Sequence, residues 1–153
     1  MPVFSGIYSA IGAPVSATII AVAGVLLVCV PILQRAARSP TLAGNTLALV
    51  AFSVYTGLVC FTGGHNAPAA TWYVTVPVIA VLLTSIGWGV FWALVCAGAV
   101  TAFFAAHQRG YQFPQEVSRV DFAYLQFSGL AGLIFCILLL TLVFKTIVSV
   151  HGF

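Results

Sequence analysis

Residues 122–150 read FAYLQFSGLAGLIFCILLLTLVFKTIVSV, with no charge before Lys145. A helix needs about 20 mainly apolar residues to cross a bilayer. This run exceeds that length, so its end should emerge past Lys145. The rest of the chain has the same character. Charged residues make up 5% of the 153, and hydrophobic residues 62%, where a soluble domain carries about 25% charged residues. A water-soluble monomer of this composition would expose large apolar patches. The reading is an integral membrane protein.

Four further apolar runs precede the last one. Residues 14–34, PVSATIIAVAGVLLVCVPILQ, open on a proline suited to a first turn, and Pro31 is expected to kink or stop the far end. After the loop RAARSPTLAGN comes a run over 44–62, closed by Gly63-Gly64, a C-terminal stop signal. Residues 71–85, TWYVTVPVIAVLLTS, are short for a span and carry Pro77. Only a turn around Ser85-Ile86-Gly87 separates them from the 86–107 run, so the two should form an antiparallel hairpin. The first 13 residues lack the basic start of a signal peptide and read as an interfacial lead-in. The expected fold is an all-α membrane bundle of about five helices in one domain, 1–153.

The polar segments lie between these runs. FTGGHNAPAATWYVTVP, residues 61–77, holds two glycines, His65, Asn66 and Pro68, then returns through Trp72 and Tyr73 as headgroup-level anchors. QRGYQFPQEVSRVD, residues 108–121, is the long polar stretch. A short interfacial helix is expected within 113–121, with Glu116 and Asp121 favouring the N-terminus of the last helix. Arg35, Arg38 and Lys145 fall on one side of a five-crossing chain, Arg109 and Arg119 on the other. The positive-inside rule then places the C-terminus in the cytoplasm.

Several function classes lose support. The net charge of +3 is scattered without a basic run, which argues against nucleic acid as a partner. Cys29, Cys60, Cys96 and Cys136 lie inside apolar runs without a C-x-x-C pair and read as small hydrophobes. No charge lies at an expected midplane, which disfavours a charged relay. No paired carboxylates, nucleophile elbow or phosphate loop is present, so no catalytic residue is assigned and no enzyme is expected. No histidine lies in the middle of a run, which removes the usual haem or pigment ligand. His65 and His107 fall on one expected face, but two ligands without a carboxylate make a poor metal site. Neither a metal nor a cofactor is assigned.

The candidate ligand-binding residues are therefore His65, Asn66, Trp72, Trp88, Trp92 and His107. Trp88 and Trp92 are four apart and share a helix face, an expected aromatic wall for a lipid-like or small apolar ligand.

The order of features resembles a known family over residues 14–150. A helix ends in Pro31-Ile32-Leu33, and a loop reaches Ala43-Gly44-Asn45. GGHNAPAATWYVTVP follows, then a hairpin turn, Trp92, a Gly110…Pro114 loop and a long last helix. This resembles the multi-helix membrane sensor domains of bacterial histidine kinases, diguanylate cyclases and class III adenylyl cyclases. Their pattern is GG-x-x-[ST]-P-x-x-x-W-x-x-x-x-P; here Ala67 takes the place of the small hydroxyl residue. Those domains usually have six helices, one more than the five runs found, and continue into a coiled or catalytic effector. The resemblance implies a non-catalytic sensor or anchor domain that relays a signal through its last helix. On this reading the chain is an excised domain or a stand-alone relative acting through a partner. The rival expectation is an accessory subunit of a larger membrane complex, packing against other subunits, lipids or pigments. Small residues such as Ala21, Ala23, Gly24, Ala97, Gly98 and Ala99 permit such close contacts or self-association.

Overall fold

Proline placement sets three of the helix starts. The computed structural model describes residues 2–37 and 39–151, and its first three helices are α1 (Pro2–Ala10), α2 (Pro14–Ala37) and α3 (Pro40–Phe61). Each opens on the one residue with no N–H to leave unpaired in a first turn. Three more follow: α4 (Thr75–Leu83), α5 (Ile86–Gln108) and α6 (Arg119–His151). Two 3₁₀ segments, Gly64–Asn66 and Pro68–Val74, link α3 to α4.

Several boundaries differ from the expected ones, each for a local reason. The α2–α3 connection is far shorter than the expected loop. Ser39 caps α3, its side chain accepting from the Leu42 N–H, and Pro40 fills the first turn. Ala43-Gly44-Asn45 is therefore helical. Arg38, assigned to that loop, lies outside the described residues. Helix α2 runs through Pro31 to Ala37. A proline inside an apolar helix is tolerated where neighbouring groups re-satisfy the backbone.

The region around Pro77 divides into the Pro68–Val74 3₁₀ segment and α4. A 3₁₀ turn rises about 2.0 Å per residue and an α-helix about 1.5 Å, so the sixteen residues from Pro68 to Leu83 reach about 27 Å. That is close to the roughly 30 Å hydrocarbon core of a bilayer.

Three stretches of the described residues are long and apolar enough to cross a membrane: Pro40–Phe61, Ile86–Gln108 and Asp121–Leu142. They are buried to different degrees. Within the spanning window the buried share is 39% for α3, 17% for α5 and 11% for α6. Of these three, α3 is the most covered and α6 the least.

Small residues set the close approaches. A side chain at Gly57 would press on Ile19 of α2, one at Gly44 on Leu83 and Thr84, and one at Gly89 on Val81 and the Pro77 carbonyl. The last contact closes the α4–α5 hairpin, whose turn is Thr84-Ser85. Ser85 caps α5 by accepting from the Trp88 N–H. Polar pairs fasten the same interfaces. The Tyr55 hydroxyl meets Thr75 Oγ1 at 3.1 Å, and the Tyr73 hydroxyl meets Thr56 Oγ1 at 2.8 Å.

Trp92 Nε1 donates to Asn45 Oδ1 at 2.9 Å, joining α5 to α3 beside Phe52. Trp92 is 6% exposed, so this bond forms where few competitors exist. Replacing Trp92 with Phe should destabilise the fold by about 1–3 kcal/mol, from the lost interhelical bond and the space left behind. Unfolding by SDS titration in mixed micelles measures this. A change below about 0.5 kcal/mol would show that the bond contributes nothing net.

Candidate functional site

One end of the bundle gathers both acidic residues and two of the three histidines. It holds the start of α2, the end of α3 with Gly63–Asn66, the end of α5, and the 109–118 connection into α6. That connection is not the expected interfacial helix. It runs extended because it pairs with the end of α3. The Glu116 N–H donates to the Phe61 carbonyl at 3.2 Å, and Gln115 forms an isolated antiparallel bridge with Thr62.

Two further contacts lock it. Gly64 has φ +68°, and the Phe113 ring occupies the space a Cβ there would take. The Glu116 carboxylate accepts from both the Ser16 N–H, at 3.2 Å, and the Ser16 hydroxyl, at 3.0 Å. Ser16 is fully buried in the first turn of α2. Glu116 therefore caps α2 rather than α6. The start of α6 is capped instead by Ser118, which accepts from the Asp121 N–H and bonds its carboxylate. Asp121 sits in the first turn of α6, where a negative charge opposes the helix dipole.

His65 and His107 meet at this end, their ring centroids 4.1 Å apart, with Phe104 edge-on to His65 at 5.9 Å. His65 Nδ1 is buried and has no hydrogen-bond partner among the described residues. No third His, Cys, Asp or Glu joins the pair to make a metal-binding group among the described residues. Beside them a cavity of about 420 Å³ has mixed walls, polar at Asn66, His107, Gln112 and Gln115 and apolar at Phe113 and Phe122.

A second cavity, about 250 Å³, opens deeper between α1, α2, α3, the Pro68–Val74 segment and α6. Its walls include Tyr8, Ile20, Tyr55, Trp72, Leu125 and Gly129. It is almost wholly apolar. Burial pushes the Tyr8 phenol above its ordinary range, so the hydroxyl keeps its proton.

No family model, curated protein or solved structure matches this chain. The site is therefore read from its own geometry. Among the sequence-derived candidates, His65, Asn66 and His107 are brought together at the polar end. Trp72 lies in the wall of the apolar cavity. Trp88 and Trp92 line neither cavity. Trp88 is 40% exposed near the α4–α5 turn, while Trp92 is in the core on Asn45. One helical turn carries the first out to the rim, so a shared face does not become a shared pocket. Tyr8, Ser16 and Glu116 were not among the candidates. No local pattern marks them, because their roles depend on partners far along the chain.

Proposed function

We propose that the chain is a non-catalytic membrane sensor or anchor domain with α6 as its output element. The observation that carries this reading is how α6 is held. Its lead-in is tied to the Phe61–Gly64 corner and to α2, while its span is the least covered of the three. Helix α6 packs chiefly on the Pro68–Val74 segment, where Leu125 and Gly129 are buried beside Trp72. A shift in the 61–74 region therefore reaches α6 directly. At 33 residues, α6 is about 50 Å long and outruns the hydrocarbon core. In this reading α2 to α6 make five crossings of a bacterial inner membrane. The 62–67 and 109–118 segments face outward, and the far end of α6 reaches the cytoplasm.

The bare face of α6 also supports a second reading, an accessory subunit of a membrane complex. Phe127, Ile134 and Phe135 are 75%, 69% and 61% exposed, and either lipid or a neighbouring subunit suits them. Native mass spectrometry of the chain, gently extracted from its own membrane, separates the two. The sensor reading expects the chain alone or as a homo-oligomer, with or without a small bound mass. Constant travel with several different proteins would overturn it in favour of the subunit.

A further inference from the structure

Two residues in the wall of the apolar cavity, Tyr8 and Trp72, carry hydrogen-bond donors with no partner among the described residues. Tyr8 is 6% exposed, and its hydroxyl has no partner among the described residues; the same holds for the Trp72 indole N–H. The other polar groups in the wall are occupied. The Tyr55 hydroxyl is paired with Thr75, and Ser128 donates to the Leu125 carbonyl. The Cys136 thiol is a weak donor at most. An indole N–H can only donate, and a protonated phenol donates readily. Neither donor atom is sealed off, and an O–H or N–H in an apolar wall gains from any acceptor placed against it, so the cavity is matched to a guest that brings an acceptor oxygen.

Size and wall chemistry narrow the class. An apolar cavity of about 150 Å³ holds one benzene ring, so one of about 250 Å³ takes two fused rings or a short chain. Tyr8, Tyr55 and Trp72 present aromatic surface, which favours a flat ring. We propose that this cavity binds a small, uncharged, flat apolar molecule carrying a carbonyl oxygen, held by the Tyr8 hydroxyl and the Trp72 N–H. As the stimulus of a sensor, such a guest rests on the reading above; as a bound molecule it does not.

The test uses the full chain in phosphatidylcholine nanodiscs. The probe is 2-acetylnaphthalene with a ¹³C-labelled carbonyl, and the control is 2-ethylnaphthalene, which has nearly the same shape and no acceptor. Infrared spectra separate ketone dissolved in lipid from ketone hydrogen-bonded in the cavity, whose carbonyl band moves to lower wavenumber. The expected result is a shifted band that saturates with added probe. Two neutral hydrogen bonds correspond to a preference of about thirtyfold over the hydrocarbon in competition. Tyr8→Phe, which removes one oxygen only, should weaken binding about fivefold, and Trp72→Phe by a similar factor. No shifted band, equal competition by 2-ethylnaphthalene, or an unchanged affinity in Tyr8→Phe would each overturn the assignment. Equal competition would identify a slot for lipid chains instead. Hydrogen–deuterium exchange along α6 tests the sensor reading separately. Saturating ketone that binds without altering α6 protection would leave the site intact and remove its signalling role.

Discussion

Gly64→Ala should cost about 2–5 kcal/mol, more than any other single methyl added at the polar end of the bundle. Two effects combine at this position. The backbone is left-handed, with φ +68°, which costs an L-residue roughly 1–2 kcal/mol. The new Cβ would also overlap the Phe113 ring, and that ring cannot simply step aside. It lies 5.4 Å from Phe103 and 4.8 Å from Tyr111, centroid to centroid. Overpacking of this kind typically adds about 1–3 kcal/mol. Gly110 supplies the control. It is also left-handed, at φ +83°, but a Cβ there meets nothing within 4 Å. Gly110→Ala should therefore show the backbone effect alone. SDS-titrated unfolding in mixed micelles gives both values. Phe113→Ala placed in the Gly64→Ala background should recover the steric part, a coupling of at least about 1 kcal/mol. Equal losses at Gly64 and Gly110 would show that the 109–118 segment does not rest on Gly64 in the membrane.

The contrast between Gly64 and Trp92 shows what a sequence exposes and what it hides. Gly63-Gly64 is legible as the end of α3 because a helix stop is a local event, set by backbone freedom within a few residues. Ser85 before Ile86 is legible for the same reason: a tight connection between two apolar runs forces them to be neighbours. The apolar length of 122–144 makes a membrane helix evident with no tertiary knowledge. The Ser39-Pro40 start of α3 carried an equally local signal, a capping residue followed by proline, but it is masked in the sequence by the polar look of the surrounding loop. Trp92 belongs to another class. Its indole joins Asn45, 47 positions away, and no periodicity on α5 reveals that. The same spacing that put Trp88 and Trp92 on one face says nothing about how far along the helix the neighbours extend. The apolar cavity is the extreme case, since its two free donors come from α1 and the Pro68–Val74 segment and meet only after the bundle has formed.

Glu116→Ala should destabilise the chain by about 2–4 kcal/mol, although Glu116 is itself only half-buried. The reason lies with its partner. Ser16 is fully buried, and both its N–H and its hydroxyl are satisfied by the one carboxylate. Removing the carboxylate leaves a buried backbone donor unpaired, at about 1–3 kcal/mol. It also removes a negative charge from the start of α2, where the unpaired N–H groups of a first turn concentrate the positive end of the helix dipole. Glu116→Gln keeps an acceptor and loses the charge, so it should cost less, about 1 kcal/mol. Ser16→Ala removes the hydroxyl and keeps the backbone bond, and should also be mild. The double variant Glu116→Ala/Ser16→Ala should then cost less than the sum of the two, because the hydroxyl is no longer there to be stranded. The consequence for the position of α6 is as direct. Glu116 is bonded at once to the start of α2 and, through its N–H, to the end of α3, three residues before α6 begins. With the carboxylate gone, hydrogen–deuterium exchange should speed up at the start of α2 and in the first turns of α6 together, while the α4–α5 hairpin keeps its protection. Faster exchange at α2 alone would mean that the clasp stabilises that helix but does not set the position of α6, and any coupling from the polar end to α6 would have to run through the Pro68–Val74 segment instead.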